Sequence, residues 1–275
     1  MKGKIYKFSK YKFSMEINPS LYEFKEFYGV YNKQMPLLIS EGFTPQTSKD
    51  ITRYRYLSMQ RENQIVKDFF LRSFDTVTGL ACYDGKLIID PNSELLLNVN
   101  QNTQASIPLT KEQFDKLAKK YGIIEESRVI HGDELTRGQA KESEILYKLA
   151  GDDIKFHHDY VDAVYDLGKA IGVFLPKDIN KPAMYNWTMG LVTRWAWVIA
   201  GMSLDNPEGI SLLLGVQKQG LDEILKRNKS FSVEENLEYF RSLDKRILYL
   251  SSLEDFQEAA KTKKIRDEIY KQFLG

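Results

Sequence analysis

Cysteine is almost missing from this chain. A single Cys82 in 275 residues cannot close an internal disulfide, nor can it supply a zinc site built on several thiolates. The thiol count points to a reducing compartment, and a cytoplasmic protein is the expectation. An excess of one charge is also missing: 39 Lys and Arg stand against 38 Asp and Glu. Wholesale coating of duplex DNA needs many basic contacts to displace counterions, so that function class loses its support. No phosphate-cradling glycine motif occurs, neither Gly-x-Gly-x-x-Gly nor Gly-x-x-x-x-Gly-Lys-Ser/Thr, and Gly-x-Ser-x-Gly is absent too. Long apolar runs are few. The best, Pro182–Leu204, has Arg194 near its middle, where lipid burial costs about 3 kcal/mol. It reads as a buried core helix, and no membrane is expected as a partner.

What is present is an ordinary globular composition, 43% apolar and 12% aromatic, which excludes a disordered tail. Residues 11–17 alternate apolar and polar as a strand does, and Tyr6 and Phe8 alternate in the opposite phase before them. Leu21, Phe24 and Tyr28 at helical spacing predict a short helix over 21–28, and a second helix is expected over 48–71 with Thr47 as its cap. Asp84-Gly85 is suited to a two-residue hairpin between strands 76–83 and 86–90, and 94–100 is expected as a third strand. Thr110 and Gln113 form a capping box for a helix over 111–121, stopped by Gly122.

Beyond residue 136 the pattern reads as helical throughout, over 138–149, 154–174, 183–203, 207–227, 233–249 and 253–273. The expected fold class is therefore α+β: a small antiparallel sheet with flanking helices in the N-terminal half and a helical bundle in the C-terminal half. The composition shift near Gly151-Asp152-Asp153 divides a mixed region, 1–150, from an all-helical one, 151–275.

Three histidines, His131, His157 and His158, sit among Asp133, Glu134 and Asp159. Downstream, Asp166-Leu167-Gly168-Lys169 resembles the run that follows the metal-binding doublet of HD-domain phosphohydrolases. The resemblance implies helices gripping divalent metal through His and Asp. Tyr165, however, stands where that family carries its ligating histidine, so no tight metal site is expected. Glu142-Ser143-Glu144 resembles the Glu-x-Glu signature of ADP-ribosyltransferases, which implies a carboxylate stabilising a ribosyl cation, with Arg53 or Arg55 as the upstream arginine. The Ser-Thr-Ser strand of that family is missing. An enzyme of transferase or hydrolase type using the carboxylates and histidines at 131–166 is thus the alternative function. No residue is assigned a catalytic role and no cofactor is expected.

The leading expectation is a soluble intracellular binding or adaptor protein that contacts nucleic acid or a protein partner. Lys7, Lys10 and Lys12 lie in a run without an acid before Glu16, interleaved with Tyr6, Phe8, Tyr11 and Phe13. Lysines beside aromatics suit single-stranded nucleic acid, bound weakly. Period-2 alternation puts Tyr11 and Phe13 on the face opposite Lys10 and Lys12, so the lysines alone are the contact residues. Trp187 and Trp195 mark a protein interface if they are exposed, with another protein or a second copy of the chain as the partner. Cys82, among apolar residues, is expected as a buried thiol.

Overall fold

The computed structural model describes residues 5–6, 22–59, 72–177, 180–191, 195–200, 204–205, 212–218 and 256–274, together with residues 232, 241, 243–244 and 247. Two compact units are present. The first comprises residues 1–4 and 26–215, and the second residues 5–25 and 216–275.

The first unit is layered, with helices on both faces of a mixed sheet. Its strands are β2 (Tyr22–Tyr28, from Glu26 onward), β3 (Thr44–Pro45), β4 (Phe74–Tyr83), β5 (Lys86–Asp90), β6 (Ile107–Pro108) and β7 (Ile124–Glu125). They continue with β8 (Gly132–Leu135), β9 (Ala170–Phe174), β10 (Ala183–Leu191), β11 (Trp195–Ala200) and the first half of β12 (Leu212–Lys218). The main path runs β2-β12-β4-β10-β11-β9-β8, and β3, β5, β6 and β7 branch from it. β4 lies antiparallel to β10 and to β5, whereas β12 runs parallel to β4 and β9 parallel to β11.

One face of this sheet is covered by α1 (Tyr31–Ser40), α3 (Glu94–Leu97) and α4 (Lys111–Tyr121). Their Met35, Leu38, Leu96 and Phe114 form one apolar cluster with Val77, Ala81, Met184 and Leu213 of the sheet. The other face carries α2 (Ser48–Met59), α6 (Glu144–Leu149) and α7 (Ile154–Asp166). Between those helices and Ile171, Met189, Ala196 and Val198 lies a cavity with room for about one water molecule. A short helix, α5 (Arg137–Glu142), precedes α6.

Several elements form where the local chemistry directs. Asp84 and Gly85 adopt φ of 50° and 70°, the left-handed pair that a tight hairpin requires, and β4 and β5 flank them. Cys82 is fully buried on β4. The Thr110–Gln113 capping box opens α4, and Thr47 with Asp50 caps α2 reciprocally. The expected helix over 48–71 is observed as far as Met59, and residues 60–71 lie outside the described ones. The strand expected over 11–17 also lies outside them, as does most of 233–249.

The expected fold class is wrong. The sheet is large and mixed rather than small and antiparallel, and the described residues of 151–275 include four of its strands, β9 to β12, rather than forming a helical bundle. Within the segment 183–203, the described residues are the antiparallel strands β10 and β11, paired from Trp187↔Ala200 to Leu191↔Ala196. It is apolar, short and rich in Trp, Val and Thr, and such a run satisfies a buried strand as well as a buried helix. The helix expected over 154–174 stops at Asp166, because Gly168 turns left-handed at φ 69° and the chain continues as β9. Residues 212–218, expected as helix, form β12.

Two N-terminal expectations fail similarly. Residues 22–28 are a strand, whose alternation the Leu21–Phe24–Tyr28 spacing masks. Residues 94–97 are a helical turn rather than a strand. Gly151–Asp153 links α6 to α7 within the first unit.

In the second unit, β1 (Ile5–Tyr6) pairs antiparallel with β2 through Ile5↔Lys25 and Tyr6↔Phe24. The helix α8 (Phe256–Ile269) supplies Arg266, which binds Asp244 at 2.6 Å and Asp267 at 2.6 Å.

Candidate functional site

Of the polar residues at 131–166, His157 and Tyr160 line the small cavity, whereas His131, Asp133, Glu134, Glu142 and Glu144 are exposed. His131 is exposed before β8, and Asp133 and Glu134 are exposed on that strand at the end of the sheet. Glu142 closes α5 and Glu144 opens α6, both exposed, on either side of Ser143, whose hydroxyl caps α6 by accepting from the Leu146 amide. That is a helix junction, whereas the transferase resemblance implies a strand. His157 is buried, its Nε2 3.2 Å from the Lys141 carbonyl oxygen, and burial lowers its pKa. A neutral ring fits that position. Arg137 reaches Asp162 and Asp166 at 3.5 and 2.7 Å, and Lys141 reaches Asp162 at 2.7 Å. These charges clamp α5 to α7. Among the described residues, no group of three or more His, Cys, Asp or Glu is placed to hold a metal ion.

Trp187 is fully buried, so the condition that would have made it an interface residue fails. It lies inside the sheet because β10 is a central strand with β4 on one side and β11 on the other. The Trp195 side chain and Lys7, Lys10 and Lys12 lie outside the described residues.

The chemistry concentrates instead where β4 begins and β10 nears its end. Asp75, 5% exposed on β4, accepts from Asn186 Nδ2 at 3.2 Å and from the Thr188 hydroxyl. Both donors converge on the same oxygen, Oδ1. Desolvation raises the carboxyl from its ordinary 3.8 to about 6, even though the two hydrogen bonds pull the other way. From α1, Tyr31 donates its hydroxyl to the Thr76 carbonyl at 3.2 Å. Burial drives the phenol well above its usual range, and the Asp75 charge adds to this. The neighbouring Asn186 Oδ1 has no hydrogen-bond partner.

A second cluster belongs to β2 and the segment before β4. Glu26 is fully buried, and its carboxylate accepts from Arg72 Nη1 at 2.9 Å and from the Tyr28 hydroxyl at 2.5 Å. Arg72 Nη1 also donates to the Tyr28 oxygen at 3.0 Å. Beneath it, Arg55 of α2 is 1% exposed and donates through Nη2 to the carbonyls of Arg72 and Met189, each at 2.5 Å. Burial lowers its pKa, opposed by its hydrogen bond with Tyr160. Arg55 thereby fixes α2, the entry to β4 and β10 to one another.

Sequence reasoning singled out none of Glu26, Arg72 and Asp75, and it named Arg55 only as a candidate for the arginine of the transferase resemblance. Arg55 follows Ile51 by one helical turn and so shares its apolar face, a signal that was legible. Glu26 and Tyr28 share one face of a strand only if 22–28 is extended, and the helical reading hid the pair. Asp75 stands just outside the strand expected over 76–83.

No known family, curated protein or solved structure matches this chain.

Proposed function

We propose that the protein is a binding protein whose Lys7, Lys10 and Lys12 hold the phosphate backbone of a single-stranded nucleic acid. The observation that supports this reading is that Ile5–Tyr6 is a strand paired with β2, and that the lysine run follows it in sequence. A strand offers its side chains to an extended polymer, and lysines that follow it closely in sequence suit phosphates. The near-neutral total charge limits the grip to this patch. Three contacts give a log–log salt slope of about −2, at about −0.7 per phosphate on a single strand. Binding is weak and indifferent to sequence.

The test is titration of the protein with labelled oligothymidylate at low salt, in parallel with the variant carrying Lys7→Gln, Lys10→Gln and Lys12→Gln. The expected result is loss of binding with an unchanged melting temperature. A wild-type chain that binds no single strand at low salt overturns the reading. A melting temperature lowered in the variant assigns the lysines to the fold instead.

A further inference from the structure

We propose that Asp75 is a proton-binding site that works as a latch between β4 and β10, closed when the carboxyl is neutral and loosened when it is charged. The hydrogen-bond geometry carries this. The donors facing Asp75 are neutral, the Asn186 amide and the Thr188 hydroxyl of β10, and both point at Oδ1. Oδ2 receives neither. Neither donor brings a counter-charge, so these bonds join β4 to β10 in either protonation state, and burial decides which state the closed segment prefers.

The surroundings agree element by element. α1 contributes Tyr31, whose phenol is kept protonated by burial and by the Asp75 charge. β12 contributes Leu213, the strand partner of Asp75. β10 contributes its uncharged amide and hydroxyl. α2 contributes the buried Arg55, whose Nη2 donates to the Arg72 and Met189 carbonyls, so the hydrogen-bond partners of Asp75, 5% exposed in a packed layer, remain uncharged. The latch also sits at a weak point of the sheet, because the β4–β10 register shifts between Asn186 and Thr188, the two residues that hold Asp75. With the carboxyl titrating at about 6, the switch lies within the range of ordinary cellular pH changes.

The experiment is hydrogen exchange of the Asn186–Met189 and Phe74–Val77 amides at pH 5.0 and 7.5, corrected for intrinsic exchange rates, with the Asp75 carboxyl followed by carbon NMR. In the wild type, opening of this segment rises by about tenfold between the two pH values, because the open-state carboxyl is already mostly ionised at pH 5.0 and only the rest of the two-unit shift is traversed. Asp75→Asn removes the pH dependence and keeps the segment closed at both. Thr188→Val deletes a hydrogen bond that favours the charged form, so the carboxyl midpoint moves upward, which a purely structural role would not produce. A wild-type carboxyl midpoint below about 4.5, or equal opening at both pH values, overturns the proposal. The NMR titration of the wild type decides the matter even if Asp75→Asn does not fold.

Discussion

Glu26 and Asp75 are acids buried to nearly the same degree in one sheet, at 0% and 5% exposure, yet their surroundings treat charge in opposite ways. Glu26 faces the Arg72 guanidinium, itself 44% exposed, with the Tyr28 hydroxyl completing a closed three-member ring of hydrogen bonds. Asp75 faces an amide and an alcohol. The first arrangement compensates a carboxylate with a full charge that remains partly in water. The second offers only dipoles, which favour the anion but do not outweigh its desolvation. Burial alone therefore does not set the character of an acid; its counter-charge does.

The comparison can be broken by substitution. The largest effect is expected from Asp75→Asn. The folded-state pKa is raised, so between about pH 4 and pH 6 the folded chain holds a proton that the unfolded chain has released. Wild-type stability therefore falls as pH rises through that window, by about 3 kcal/mol in full. Asn cannot ionise, and its amide can donate to the unpartnered Asn186 Oδ1. Urea denaturation should show the variant more stable than wild type at pH 7.5 by up to about 3 kcal/mol, with the difference shrinking towards zero near pH 4. A variant less stable than wild type at pH 7.5 would break the contrast.

Arg72→Met should act in the other direction. It strands a fully buried Glu26 with only Tyr28 as donor and should destabilise by about 2 kcal/mol at pH 7. The partial exposure of Arg72 lets water relieve some of the loss, which is why the value lies below that of a fully sealed pair. Tyr28→Phe should be milder still. It removes one hydrogen bond and leaves the ion pair, and a loss of about 1 kcal/mol in the same assay is expected. A Tyr28→Phe loss larger than that of Arg72→Met would mean that the hydroxyl, and not the guanidinium, stabilises Glu26.

What could be read without the structure was governed by local chemistry. The Asp84-Gly85 hairpin, the Thr110 and Thr47 caps and the burial of Cys82 each depend on a few neighbouring residues. The C-terminal strands were not legible in this way. β10 and β11 are apolar runs without clean alternation because both faces of the sheet are covered, and period 2 fades when polar positions disappear. Misreading 22–28 as helix had a further consequence, because it separated Glu26 from Tyr28 and concealed the cluster they form with Arg72.

The two acid clusters belong to a different level again. Asp75 meets residues more than a hundred positions away, and Glu26 meets Arg72 across 46 positions. No spacing rule spans such separations. The sequence by itself determined where single turns and caps form, because φ preferences and side-chain-to-backbone hydrogen bonds act within a few residues. Only the tertiary structure decided which strands share a sheet, and with it whether a given carboxylate meets a guanidinium or an amide, because long-range pairing fixes dielectric and counter-charge together.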